Sequence, residues 1–281
     1  MINRKRKKTP FLILGDSVLT VLMICFGFIA IFPFLYMIII SLQNTTTMKL
    51  TLDRIINGAW TLDNYAKLMN SGSFKRYILN SVIMTVYASF VNCTVSSMAA
   101  YAFAKLKFSG RSNIYSIYLA TMMVPGQVLI IPAFLICRNL GILNTFTAMA
   151  LPTINAFGTI MIHSFIQGIP DDLLEAADID GCSEAGKFVR IIIPLIKPAL
   201  ISLVIFTFVT VWGSLLWPLI VSNGDMMPVT VAVANMKSTK TVTQYGYVMA
   251  GTTVSFLPPF ILYLFLQKQF VEGIALSGIK S

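Results

Sequence analysis

The sequence predicts an all-α polytopic membrane protein with six transmembrane helices and one polar helix–turn–helix loop. Three observations carry this. Of 281 residues, 56% are hydrophobic and only 11% charged, whereas a soluble domain carries about 25% charged residues; the mean hydropathy is +0.78. Six windows free of Asp, Glu, Lys and Arg run over 17–48, 77–104, 112–137, 139–170, 198–224 and 241–267, each long enough for the roughly 20 apolar residues that cross a bilayer as a helix. Finally, six of the eleven acidic residues crowd between Asp171 and Glu184, between the fourth and fifth windows.

Within the windows the expected spans are 18–41, 78–103, 113–136, 146–167, 199–221 and 248–267, with a loop at 168–197, all in one domain covering 1–281. The apolar run 18–40 is longer than a signal-peptide core of about 7–15 residues and reads as a retained first span. Arg138 and the turn-like "RNLGILNT" separate the third and fourth spans. Pro198 and Pro218 flank the fifth. The second span carries Asn80, Ser81, Thr85, Ser89, Asn92, Thr94, Ser96 and Ser97. Small and weakly polar residues in lipid favour close helix packing; they also suit the lining of a wet pathway.

Six spans put both termini on one side. That side holds thirteen Lys and Arg residues, including the run at positions 4–8, and the other side holds eight. The positive-inside bias therefore places both termini in the cytoplasm. The net charge of +10 follows from this flanking pattern, and no basic stripe interleaved with aromatics points to nucleic acid.

The acidic stretch then lies on the cytoplasmic side. Pro170, Asp171 and Asp172 suit a helix start, where acids complement the positive end of the helix dipole. Leu173, Ala176, Ala177 and Asp180 follow helical spacing. Gly181 suits the left-handed residue that ends a helix. Ser183 and Glu184 offer a second start, and Pro194 and Pro198 bend the chain back toward the membrane. The first helix presents alanines flanked by carboxylates, a surface that another protein can approach closely.

Competing chemistry is thin. Gly181 to Lys187 matches most of GxxxxGK[ST], but Phe188 replaces the required hydroxyl and no strand precedes it, so no nucleotide site is expected. Cys25, Cys93, Cys137 and Cys182 are scattered without metal-type spacing. His163, the sole histidine, sits in the fourth span with no nucleophile–acid set around it. No catalytic residue and no metal ligand emerge, and no ionisable residue lies deep in a span, which a proton-coupled carrier ordinarily needs.

The loop spacing Glu175-Ala176-Ala177, then Gly181, then Ile191-x-Ile193-Pro194 resembles the EAA motif of ABC importer permeases; the family prefers Leu where Ile193 stands. "IFPFLYMIIISLQ" (31–43), "TLDNYAKLM" (61–69), "NSVIMTVYASFVNCTVSSMAAYAFAKLKFSGR" (80–111), "MMVPGQVLIIPAFLICRNLGILNT" (122–145), "WGSLLWPLIV" (212–221) and "LQKQFVEGIALSGIKS" (266–281) are similar to the smaller permease subunit of maltose-type carbohydrate importers, which often has Asn near Ser214. The resemblance implies a transmembrane permease of an ATP-driven carbohydrate importer in a bacterial or archaeal cytoplasmic membrane. The EAA loop becomes a coupling helix that docks on a separate ATPase, with Glu175, Ala176, Ala177, Asp178, Asp180, Gly181 and Pro194 as its residues. Gln267, Lys268 and Gly273 would contact the ATPase pair from the C-terminal tail. Asn223, Gly224 and Asp225 would lie in a protruding loop facing an extracytoplasmic substrate-binding protein. The implied partners are a second homologous permease, two ATPase subunits, that binding protein, the carbohydrate and membrane lipid. No cofactor is expected on this chain, because ATP and Mg would sit on the ATPases. Alternatives are an ABC permease for another small solute and an independent secondary carrier; for the latter, internal repeats and charges within spans are missing.

Overall fold

The computed structural model describes residues 10–49, 51–236 and 243–278, with side chains described for 18–49, 51, 53–236 and 243–267. Its helices are α1 (Pro10–Ser41), α2 (Leu52–Asn57), α3 (Asp63–Asn70), α4 (Ser73–Lys105), α5 (Arg111–Ala120), α6 (Ile130–Asn139), α7 (Phe146–Ala150), α8 (Ala156–Gln167), α9 (Asp172–Ile179), α10 (Glu184–Lys187), α11 (Ile193–Leu195), α12 (Lys197–Trp212), α13 (Leu216–Val221), α14 (Val229–Asn235) and α15 (Tyr245–Gly278). Among the described residues, the only strand-like pairing is an isolated bridge between Gln43 and Trp60. Helices dominate because hydrocarbon offers no hydrogen bonds, so a spanning backbone must satisfy its own.

Three helical stretches are unbroken and long enough to cross a membrane: Val18–Ser41, Ser73–Lys105 and Tyr245–Gln267. Three more candidates are bent pairs: Arg111–Met123 with Gly126–Asn139 at 94°, Phe146–Thr153 with Ala156–Gln167 at 57°, and Glu184–Leu195 with Lys197–Trp212 at 76°. The straight helices expected at 113–136, 146–167 and 199–221 are therefore interrupted. Val124, held extended (ψ 118°) ahead of Pro125, breaks the first, because the proline ring disfavours a helical residue before it. In the second, Ile154 is also non-helical (ψ 92°), and Asn155 restarts the chain by accepting from the Phe157 amide at 3.0 Å. The expected fifth span stops at Trp212 and resumes at Leu216.

The chain divides into two compact units, residues 1–70 with 240–254 and residues 71–239 with 255–281. In the first, the segment after α1 folds back on itself. The Thr61 amide donates to the Leu42 carbonyl at 2.8 Å. Asn64 Nδ2 donates to the carbonyls of Ser41 at 2.9 Å and Gln43 at 3.0 Å. The Gly246 amide donates to the Thr45 carbonyl at 3.2 Å, which ties this loop to the start of α15.

In the second unit α4 is the axis, packed by α7, α8, α12 and α14. Asn80, Ser81, Thr85, Ser89, Asn92, Ser96 and Ser97 are buried on it, and Thr94 is exposed. Of the two uses that the sequence leaves open for this polar face, close packing is thus realised. Asn92 Nδ2 donates to Thr207 Oγ1 at 2.9 Å, and its Oδ1 accepts from Ser96 Oγ at 3.0 Å. Gly158 lets α8 approach: a Cβ there would stand 2.5 Å from Ser96 Oγ and 3.2 Å from Asn92 Oδ1. Gly158→Val should therefore destabilise this unit by about 1–3 kcal/mol through overpacking. The check is a lower thermal midpoint in detergent than for Gly168→Ala, where the added Cβ would stand an ordinary 3.5 Å from the Phe165 carbonyl oxygen.

Candidate functional site

The acidic loop forms the helix–turn–helix that its sequence predicts. In α9, Asp172 and Glu175 occupy the first turn, where carboxylates stabilise the helix dipole. Its end is a Schellman turn. The Cys182 amide donates to the Ala177 carbonyl at 2.9 Å, and the Gly181 amide to the Asp178 carbonyl at 3.0 Å. Gly181 has φ +71°, a conformation costly for any residue with a Cβ. Ser183 then caps α10, its Oγ accepting from the Gly186 amide at 3.2 Å.

A π-helical turn, Phe188–Ile192, follows, with the Ile193 amide reaching back to the Phe188 carbonyl. Pro194 stands two residues beyond it in α11. Proline has no amide and its ring clashes with the carbonyl four residues earlier. The wider turn relieves that clash, and the 76° bend into α12 comes next.

Two lysines organise the acids. Lys187 has a side chain only 6% exposed; its Nζ lies 2.7 Å from Asp178 Oδ1 and 2.5 Å from Glu184 Oε1. Glu184 Oε2 accepts from the Tyr101 hydroxyl at 2.7 Å, and Phe188 packs on the Tyr101 ring at 5.4 Å. Lys105 Nζ donates to the Ile169 carbonyl and to Asp171 Oδ1, both at 2.6 Å. The loop is thus clipped to the last turns of α4 at two points. The paired carboxylates shift accordingly. Lys105 holds Asp171 below its usual range, and Lys187, followed by the Tyr101 hydroxyl, does the same for Glu184. The hydrogen bonds to Asp178 and Glu184 push Lys187 above its ordinary value.

The site residues expected on the loop therefore divide. Glu175, Ala176 and Asp180 face outward, together with Asp172, and none of these acids has an ion pair among the described residues. Ala177 and Asp178, expected on the same face, have contacts within the loop, although Asp178 remains exposed. Helical rotation puts Ala177 beside Leu174 on the inner side, 8% and 9% exposed, and turns Asp178 to Lys187. Leu173 at 47% and Ile179 at 88% exposure also stand outward; sequence reasoning used Leu173 only for its helical spacing and did not single out Ile179. It also missed Lys105, Lys187 and Tyr101, whose only signal was a cation or phenol close to the polar end of an apolar run.

The other expected residues lie apart from the loop. Asn223, Gly224 and Asp225 are exposed, and the segment is held by hydrogen bonds and an ion pair. The Asn223 amide donates to Asn144 Oδ1 at 2.8 Å, and Asp225 pairs with Arg76. Asn80 Nδ2 donates to the carbonyls of Asp225 at 2.6 Å and Met227 at 3.1 Å. The Val229 amide donates to Ser81 Oγ at 2.8 Å. Gln267 is exposed on α15, its Nε2 donating to the Leu264 carbonyl at 3.2 Å. Lys268 and Gly273 continue that helix, but their side chains lie outside the described residues, as do Lys237, Lys240 and the basic run at 4–8.

Lys187→Met should free α9 from α10 and speed proteolytic nicking between Ala176 and Phe188 on the order of tenfold, as local opening becomes easier. Its pH signature follows from the shifts. The lowered Glu184 contributes fully above its unfolded value of about 4.3 and loses that contribution as pH falls through its folded value. The raised Lys187 contributes fully below about 10.4 and loses it as pH rises through its folded value. The gap in thermal midpoint between wild type and Lys187→Met should stay level from about pH 5 to about pH 10 and narrow on either side.

Residues 92–275 match the family model described as "Binding-protein-dependent transport system inner membrane component". The arabinooligosaccharides transport system permease protein AraQ of Halalkalibacterium halodurans is 32% identical over 98% of this chain and 99% of its own length. A crystal structure of a bacterial ABC transporter involved in the import of the acidic polysaccharide alginate matches the fold with a TM-score of 0.80, at 22% identity over 93% of this chain and 98% of that one. A second, of the bacterial alginate ABC transporter in complex with alginate pentasaccharide-bound periplasmic protein, matches with a TM-score of 0.61, at 15% identity over 92% and 96%. With its EAA-spaced loop and its apolar helices, the chain belongs to the family of binding-protein-dependent transport system inner membrane components.

Proposed function

We propose that this chain is the permease subunit of an ATP-driven carbohydrate importer and that α9 is the element through which a separate ATPase drives it. The observation that carries the reading is the division of the acidic loop. One set of its groups locks the loop to α4, and the other (Asp172, Leu173, Glu175, Ala176, Ile179 and Asp180) stands outward with small, charged and apolar character together. A surface of that kind suits a docked partner, whose charges orient it and whose side chains cover the apolar positions. The relatives' named roles, in arabinooligosaccharide and alginate import, support carbohydrate as the solute class.

In this reading two ATPase subunits carry ATP and Mg. A second permease completes the pathway, and a substrate-binding protein delivers the solute from the opposite side of the membrane. The termini and the α9 loop face the cytoplasm, and the 45–76 segment faces outward. ATP-driven closure of the ATPases moves α9, and its lysine clips carry that movement into α4.

Glu175→Lys reverses one of the three charges of the docking face without touching a span. Like-charge contacts in an interface cost several kcal/mol, so retention of the co-expressed ATPase should fall on the order of a hundredfold. Gly181→Asp, which strains the positive φ, should also uncouple hydrolysis from uptake. Full ATPase co-purification and uptake in both variants would remove the coupling role. Orientation is tested with Ile179→Cys and Ile56→Cys in a cysteine-free background. Ile56→Cys should label with an impermeant thiol reagent on intact cells, and Ile179→Cys only after lysis; the reverse pattern would invert the topology.

A further inference from the structure

The helix that returns the chain to the membrane after the acidic loop lies across the span it feeds. Glu184–Leu195 meets Lys197–Trp212 at 76°. Membrane helices tilt by about 20° from the bilayer normal, so the first of these axes runs within roughly 35° of the membrane plane. Its inner side is packed. Lys187, Ile192 and Ile196 are buried there, the two isoleucines in one cluster with Ala100, Ile162 and Leu203. Its outer side is open: Val189, Arg190, Pro194 and Leu195 are exposed, and so is Lys197 at the bend. Apolar and cationic residues side by side on a helix lying in the plane suit a position at the level of lipid headgroups.

The protein does not neutralise these two cations. Lys105 and Lys187 are taken up by Asp171, Asp178 and Glu184, whereas Arg190 and Lys197 form no ion pair among the described residues. No Asp or Glu occurs between Glu184 and Asp225. Beyond Lys197 the surface of α12 turns apolar. Lys197, Ile201 and Val204 are spaced i, i+4 and i+7, which puts them on one helix face, and all three are exposed. A cation thus heads an apolar track along a spanning helix.

The pairing of charge and track selects the occupant. A soluble acidic partner would meet the cations and leave the track bare. A zwitterionic lipid would cover the track and bring no net charge to the cations. A lipid with a net negative phosphate headgroup does both. We propose that Arg190 and Lys197 hold the headgroup of one anionic phospholipid from the leaflet on the acidic-loop side, with its acyl chains along Val189, Leu195, Ile201 and Val204. This helix joins the acidic loop to α12, so the bound lipid braces the place where movement of the loop enters the span. The brace rests on the coupling role of α9 given above; the lipid contact does not.

The test uses the complete importer in nanodiscs of phosphatidylcholine with increasing phosphatidylglycerol. The probes are phosphatidylglycerol and phosphatidylcholine with a photoactivatable acyl chain, and adducts are mapped by peptide. In the wild type, phosphatidylglycerol adducts should concentrate on residues 189–204 and saturate, and phosphatidylcholine adducts there should be on the order of tenfold fewer. Arg190→Gln and Lys197→Gln should each raise the phosphatidylglycerol fraction that half-saturates this peptide about fivefold, and together about thirtyfold, the effect of one and of two cations at a membrane surface. Arg190→Lys and Lys197→Arg should restore it. Lys107→Gln, which removes another exposed cation, should leave it unchanged. Excess glycerol 3-phosphate, which has no acyl chain, should not displace the lipid. In proteoliposomes, ATP hydrolysed per solute imported should rise in the double variant and, for the wild type, when phosphatidylglycerol is left out. Equal adducts from both lipids, or an equal effect of Lys107→Gln, would overturn the site and leave only general surface charge. Displacement by glycerol 3-phosphate would assign the cations to a soluble phosphate. Loss of the co-purified ATPase in the double variant with unchanged adducts would assign them to the ATPase. Unaltered coupling without phosphatidylglycerol would remove the brace and keep the contact. The wild-type adduct map needs no substitution, so it decides the contact even where a variant complex fails to assemble.

Discussion

The larger unit depends on one constraint: a polar group on α4 has to find its partner inside the protein, because lipid supplies none. The helix meets it at three stations, and the buried Thr85 and Ser89 hydroxyls between them have no partner among the described residues. Near its start, Asn80 and Ser81 bind the backbone of the 225–229 segment. Midway, Asn92 binds Thr207 of α12. At its end, Tyr101 and Lys105 hold the acidic loop. Thirty-three residues at 1.5 Å each make a rod of about 50 Å, and each of its polar stations fixes a different part of the unit. A displacement applied at one end therefore reaches the others through bonded contacts.

Much of this was legible in the sequence, for physical reasons that differ by element. Charge-free windows report transfer into hydrocarbon, and the unbroken spans α1, α4 and the apolar part of α15 sit where hydropathy puts them. Gly181 was legible because a positive φ leaves few choices of residue. The interruptions were not. Pro125 breaks the third window by local sterics, whereas the gap after Trp212 holds Gly213, Ser214 and Leu215 and no proline. The apolar windows report composition and not straightness.

The loop shows the same boundary at the scale of single residues. Motif spacing located α9 and its turn. It could not sort the alanines, because Ala176 and Ala177 are equal in sequence and one helical step of rotation decides that Ala177 is buried. Nor could it sort the carboxylates. Asp178 and Asp180 read alike until Lys187, brought back by the Schellman turn, selects Asp178. Partners 66 and 83 positions apart, as for Lys105 with Asp171 and Tyr101 with Glu184, depend on a packed α4 and have no local signature.

The separation of inward from outward groups on α9 has an evolutionary corollary. The bonds that shape the loop run through Ala177, Asp178, Gly181, Ser183, Glu184 and Lys187, whereas Leu173, Glu175, Ala176 and Ile179 contribute no side-chain bond to that framework. Substitutions at the outward positions can accumulate without refolding the loop. The outward face is free to change its chemistry while the bonded framework beneath it keeps its shape.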